Sequence, residues 1–187
     1  ALIGGLVGAA VAKSGIGSLL ARGLLKTIAF IVIAPLMGFM LGALGAVTSL
    51  LFNVVGSVLV GKHPLELIRV YLTFPLGAQA LEVDNGLTLV IGCCLYLGTG
   101  MLLGAPFHLL LAYFTTGKTV AFRLTVATAL AISMWIGHFY LVLVWLQPLL
   151  FGGTWIVSDI PWWVGMLTHV VYGWTMALVF PLGLYTP

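Results

Sequence analysis

Charged positions divide this chain into long apolar blocks. Residues 86–114, 124–146 and 162–184 hold no Asp, Glu, Lys or Arg, and neither do residues 27–61. A helix needs about 20 apolar residues to cross the hydrocarbon of a bilayer. The pattern therefore predicts an all-α fold, a polytopic transmembrane helical bundle of about four principal spans. No linker or low-complexity tract interrupts it, so residues 1–187 are expected to form a single integral membrane domain. Residues 1–12 are apolar and glycine-rich but too short to span. They are expected to be re-entrant, interfacial or part of a longer segment.

The block 27–61 would be some 50 Å long as a helix at about 1.5 Å per residue, more than one simple crossing needs. Pro35 and Gly38, Gly42, Gly45 and Gly56 are places where it could break or tilt. One long or broken helix is expected. Residues 70–81, with Pro75 among them, are too short to add a crossing.

Composition agrees: 62% of residues are hydrophobic and mean hydropathy is +1.23. The few charges are sorted. Lys13, Arg22, Lys26, Lys118 and Arg123 lie in two stretches without acids, 13–26 and 115–123. Glu66, Glu82, Asp84 and Asp159 lie in 62–85 and 147–161, with Lys62 and Arg69. The positive-inside rule puts the first set and the C-terminus in the cytoplasm and the second set outside. A bacterial inner membrane is the expected location. Trp155, Trp162 and Trp163 fit an outer aromatic belt, and Tyr113 and Phe114 an inner one. Pro161 suits the first turn of the last helix, with Ser158 or Asp159 as its cap.

Intramembrane polar groups are the natural candidates for chemistry, because they are costly to bury. The clean spans hold no deep charge, which argues against a proton relay or a carboxylate ion site. His108, His138, His169, Asn53 and several Ser and Thr remain. His138 and His169 should lie roughly 10 Å below the same hydrocarbon boundary on sequential antiparallel helices. Two imidazoles at one depth can ligate haem b axially, with Gly137, Gly165 and Gly173 making room. Each can instead bond a backbone carbonyl, a hydroxyl or a lipid headgroup, a reading that ranks above haem. His108 lies too near the other side to join them. Cys93 and Cys94 point about 100° apart on a helix and read as packing residues. No metal site and no cofactor is expected otherwise. Gly38-x3-Gly42 and Gly100-x3-Gly104, like Gly4-x3-Gly8, open helix faces to close packing, within the chain or against partner helices. No catalytic or nucleotide motif and no basic aromatic patch for nucleic acid occurs. The net charge of +3 is accounted for by loops near anionic lipid. The chain is not expected to be an enzyme.

The pieces ALIGGLVGAA at 1–10, GLLK at 23–26 and FIVIAPLMGFMLG at 30–42 resemble part of the inorganic phosphate transporter family. The resemblance covers residues 1–45 and implies phosphate uptake coupled to a cation. The family carries its phosphate and cation site on a Gly-Ala-Asn-Asp-type motif in each half. That motif is absent here, so no binding residue carries over. Residues 62–187 resemble small bacterial four-span proteins through LQPLLFGG and LTHVVYGWTMAL, a likeness that implies no activity.

Three readings follow. The first is a noncatalytic accessory subunit of a larger membrane complex, such as a respiratory one, with other integral membrane subunits and lipids as partners. The second is a partial or divergent phosphate/cation transporter. The third is a haem b-binding electron-transfer subunit using His138 and His169.

Overall fold

The computed structural model describes residues 8–9, 11–13, 15 and 21–183, with only the backbone described at 21–30. Most of the apolar segment 1–12, including Gly4, therefore lies outside the described residues. Those described form helices and turns, with no strand among them.

Helix α1, Ala21–Leu59, is continuous for 39 residues. It starts before the charge-free block and takes in Arg22 and Lys26, which the sequence placed in a loop. Both residue types are good helix formers. Pro35 removes one backbone bond, and the helix continues through it. Its apolar part, Ile31–Leu59, is long enough to cross a membrane. Three more stretches qualify by length and composition: Gly86–Thr115, Val120–Phe151 and Trp162–Gly183. The chain is thus a helical integral membrane protein with four such spans among the described residues.

Between the first two spans lies α2, Glu66–Leu76, followed by a 3-10 turn, Gly77–Glu82. The sequence treated this stretch as loop because it is too short to cross. It is nonetheless amphipathic: Ile68, Val70, Leu72 and Thr73 are buried, while Glu66 and Arg69 face outward into an ion network. Arg69 donates from Nε to the Val83 carbonyl at 2.7 Å and from Nη2 to Asp84 at 3.1 Å. Lys62 pairs with Glu66 at 3.9 Å. The two bases on the acidic side are therefore matched by acids.

Helix α3, Gly86–Thr115, starts at Asn85, whose side chain accepts from Thr88 N at 3.1 Å. Thr119 caps α4, Val120–Ile136, in the same way. The third span then passes through a π-helical stretch, Gly137–Leu143, into α5, Val144–Phe151. It ends at Gly152, whose φ of 82° gives the left-handed cap that glycine adopts most readily. The expected outer loop 147–161 is thus mostly helix: α5 runs to Phe151, and α6 occupies Trp155–Asp159. Helix α7, Trp162–Val179, ends in a 3-10 turn, Phe180–Gly183. Pro161 takes its N-cap place without a side-chain bond. Ser158 instead donates to Thr154 O or to the Asp159 carboxylate, so neither residue caps α7.

Helix α1 packs between α3 and α7, and α4 packs on α7. The α1–α3 contact is a glycine seam. A Cβ on Gly38 would come 2.7 Å from Ala105 Cα, and one on Gly42 would come 2.8 Å from Gly104 Cα. One on Gly100 would meet the Ala46 side chain, and one on Gly104 would overlap the Gly38 carbonyl. Both glycine faces are used inside the chain, so these faces do not meet a partner helix. The outward faces, among them Val32, Leu51, Leu102, Leu141 and Leu178, are apolar and suit lipid.

Arg123 is not a loop residue. It lies in the first turn of α4, 8% exposed, its guanidinium 4.6 Å above the Phe180 ring, with Nη1 donating to Ala177 O at 3.3 Å. A cation at the C-terminal end of α7 is favoured by the helix dipole.

The sorting of charge makes a topology prediction. In a background lacking Cys93 and Cys94, Asp159→Cys should react with a membrane-impermeant maleimide added outside intact cells. Lys118→Cys should react only after the membrane is opened. Both positions are exposed. The reverse pattern would invert the assignment.

Candidate binding cavity

A cavity of about 460 Å³ lies between α3 and α4, lined by Leu95, Tyr96 and Thr99 of the first and Met134 of the second. Helices α2 and α6 contribute Tyr71, Phe74 and Ile156 to its lining, and Ile160 follows directly after α6. Its floor includes Ala46 and Ser49 of α1 and Thr168 and Tyr172 of α7. The π-helical stretch forms part of one wall through His138, Phe139, Val142 and Leu143. Such stretches recur at functional sites because they re-aim side chains. Among the described residues, no Asp, Glu, Lys, Arg or Cys lines the cavity.

The two histidines ranked by depth do meet here. His138 Nδ1 and His169 Nε2 are 3.3 Å apart, with ring centroids at 5.5 Å and planes at 57°. His169 Nδ1 lies 2.8 Å from Gly165 O. The rings are in hydrogen-bond contact, so no metal-bearing macrocycle fits between them. The glycines proposed to make room are mostly closed as well. A Cβ on Gly165 would come 2.9 Å from Phe139, and one on Gly173 would come 2.9 Å from Ala131. Only Gly137 faces open space. The observed geometry does not fit axial haem. His108, 1% exposed, packs instead on Phe180 and against Gly183 at the other end of the bundle.

Several polar wall groups were not singled out from the sequence. Tyr71 bonds Thr99, joining α2 to α3. Ser49 and Tyr96 bond at 2.9 Å, joining α1 to α3. Tyr172 Oη donates to Gly100 O at 2.7 Å, joining α7 to α3. Asn53, one of the polar residues noted in the sequence, donates to Thr168 at 2.9 Å and to Ser49 O at 2.8 Å. The available signal was tyrosine and small hydroxyl residues recurring inside spans. Buried polar groups need partners, so such residues must find each other across helices. Gln147, fully buried, ties α5 to α2 and α6: it donates to Thr73 Oγ1 at 2.9 Å and accepts from Ile156 N at 3.0 Å.

With this geometry in hand, comparison with known proteins adds one short likeness. A "probable low-affinity inorganic phosphate transporter" of Rhizobium meliloti (strain 1021) is 57% identical over 44 residues. The match takes in 24% of this chain and 13% of the transporter. It is a likeness to a segment. The length accords with the resemblance read at residues 1–45. No family model matches the chain, and no solved structure matches it.

Proposed function

We propose that this chain is a noncatalytic membrane protein that receives a lipid-soluble amphiphile in the cavity between α3 and α4. One observation carries the reading: a volume of about 460 Å³ with an apolar wall and a few convergent polar groups. Small-molecule sites have this size and make-up, typically about 300–1,000 Å³. The cavity lies among membrane-spanning helices, so the ligand reaches it through lipid. Among the described residues the wall carries no acid or thiol to drive chemistry, which supports binding over catalysis.

The test is direct. Native mass spectrometry of the chain released from mild detergent should show a bound lipid-soluble molecule. Leu103→Trp and Met134→Trp, both on the cavity wall, should expel it while leaving the helical content unchanged. Retention of the same molecule by both variants would rule the cavity out as its site.

A second reading, transport of phosphate with a cation, is favoured by the 44-residue match. Its length accords with residues 1–45, a segment that ends before every residue lining the cavity. Uptake of labelled phosphate by proteoliposomes above that of empty vesicles would displace the first reading. The accessory-subunit reading is supported only by short loops and charge-free spans, and it ranks below these two.

A further inference from the structure

We infer that the cavity selects molecules carrying a hydroxyl, because its wall offers hydrogen-bond acceptors and keeps its own donors occupied. This inference rests on the cavity being a binding site, and it names the chemistry of what binds.

The argument follows the protons. A backbone carbonyl cannot donate, so the bond between His169 Nδ1 and Gly165 O fixes the proton on Nδ1. In the neutral ring, Nε2 is then an acceptor. The 3.3 Å bond to His138 must therefore be donated by His138 Nδ1. That leaves His138 Nε2 with a bare lone pair. His138 lines the cavity, and its Nε2 bonds no protein atom among the described residues. The chain of bonds ends at a helix carbonyl and passes no proton onward, so it orients the imidazoles and does not relay.

The hydroxyls of the wall behave alike. Thr99 donates to Leu95 O at 3.0 Å, so its bond with Tyr71 is donated by the tyrosine. Ser49 donates to Ala46 O at 3.0 Å, so its bond with Tyr96 is again donated by the tyrosine. Tyr172 donates to Gly100 O, and Thr168 to Val164 O at 2.8 Å. Every tyrosine on the wall thus has its proton committed and its oxygen lone pairs still open. Trp135 Nε1, a buried donor without a partner, lies against Gly165 and does not line the cavity. A ligand hydroxyl would find His138 Nε2 ready to accept. A ketone, ester, carboxylate or phosphate would bring acceptors to a wall of acceptors. The proposed occupant is therefore a long-chain or polycyclic alcohol, and a free anion is disfavoured.

The experiment uses the full chain in nanodiscs and a diazirine-bearing fatty alcohol as photoprobe, with labelled residues located by mass spectrometry. Oleyl alcohol, oleyl methyl ether and methyl oleate compete for labelling. They share a chain and differ in whether the head can donate. Oleyl alcohol should compete about three- to tenfold better than the other two, the value of one neutral hydrogen bond. His138→Leu should keep cavity labelling and lose the preference. His169→Leu removes the partner that fixes His138, so that ring can present N–H, and the preference should fall or turn towards the ester. Labelling within the cavity with equal competition by all three overturns the inference and leaves the cavity reading standing. Labelling absent from cavity residues overturns both.

Discussion

Gly104→Leu should take apart the centre of the protein. Any side chain there meets the Gly38 carbonyl, and a Cβ would lie 2.6 Å from Gly42 Cα. These neighbours are backbone and cannot turn aside, so α1 and α3 must separate. Overpacking a core costs about 1–3 kcal/mol even where side chains can yield. Here the expected loss is at the upper end or beyond, about 3 kcal/mol or more. It is measured as a shift in the unfolding midpoint of the chain titrated with SDS from mixed micelles. Gly98→Leu is the control, because a Cβ there has nothing within 4 Å. It should be neutral or slightly stabilising, since glycine is a poor helix former. Equal behaviour of the two variants would show that the seam does not hold the bundle.

Gln147→Leu should cause the next largest loss. The change leaves the Ile156 N–H without its acceptor and Thr73 Oγ1 without its donor. An unsatisfied buried donor costs about 1–3 kcal/mol. Because Gln147 ties α5 to α2 and α6, the loss should be local. Hydrogen exchange at the α6 amides should speed up well before the amides of α1 or α7 respond. Thr73→Val in the same background should add little, since its bond to Gln147 is already gone. Unchanged exchange at α6 would mean that this helix is held by apolar packing alone.

These two residues also mark the limits of what could be read from the chain. Gly38, Gly42, Gly100 and Gly104 were legible as close-packing faces, because spacing by four is a one-dimensional signal. Which helix each face would meet was not legible, since that depends on how α1 and α3 lie side by side. The four spans were visible as blocks without charge. Their ends were not, because Arg22 and Lys26 enter α1 and Gln147 remains inside α5. Helix α2 escaped notice for a different reason: length decides crossing, but an eleven-residue helix needs only one apolar face to lie on a bundle. The meeting of His138 and His169 followed from counting depth. Their direct bond, and the tyrosines around them, required three-dimensional placement. So did the burial of Arg123, which by sequence is one more positive charge beside a loop.

The π-helical stretch has one more consequence, a matter of phase. His138 must face α7, while Gln147 must face α2 and α6. In an unbroken α-helix each residue turns the chain by about 100°, so nine steps would set these two side chains about 180° apart. If the stretch Gly137–Leu143 absorbs one residue, about eight effective steps remain, or about 80°. One extra residue thus turns two opposed faces of a helix into neighbours. Deleting a single residue from this stretch would lengthen no loop and remove no charge. By the same arithmetic it would leave eight regular α-helical steps, again about 80°, so the third span would keep both its partner histidine and its hold on α2 and α6.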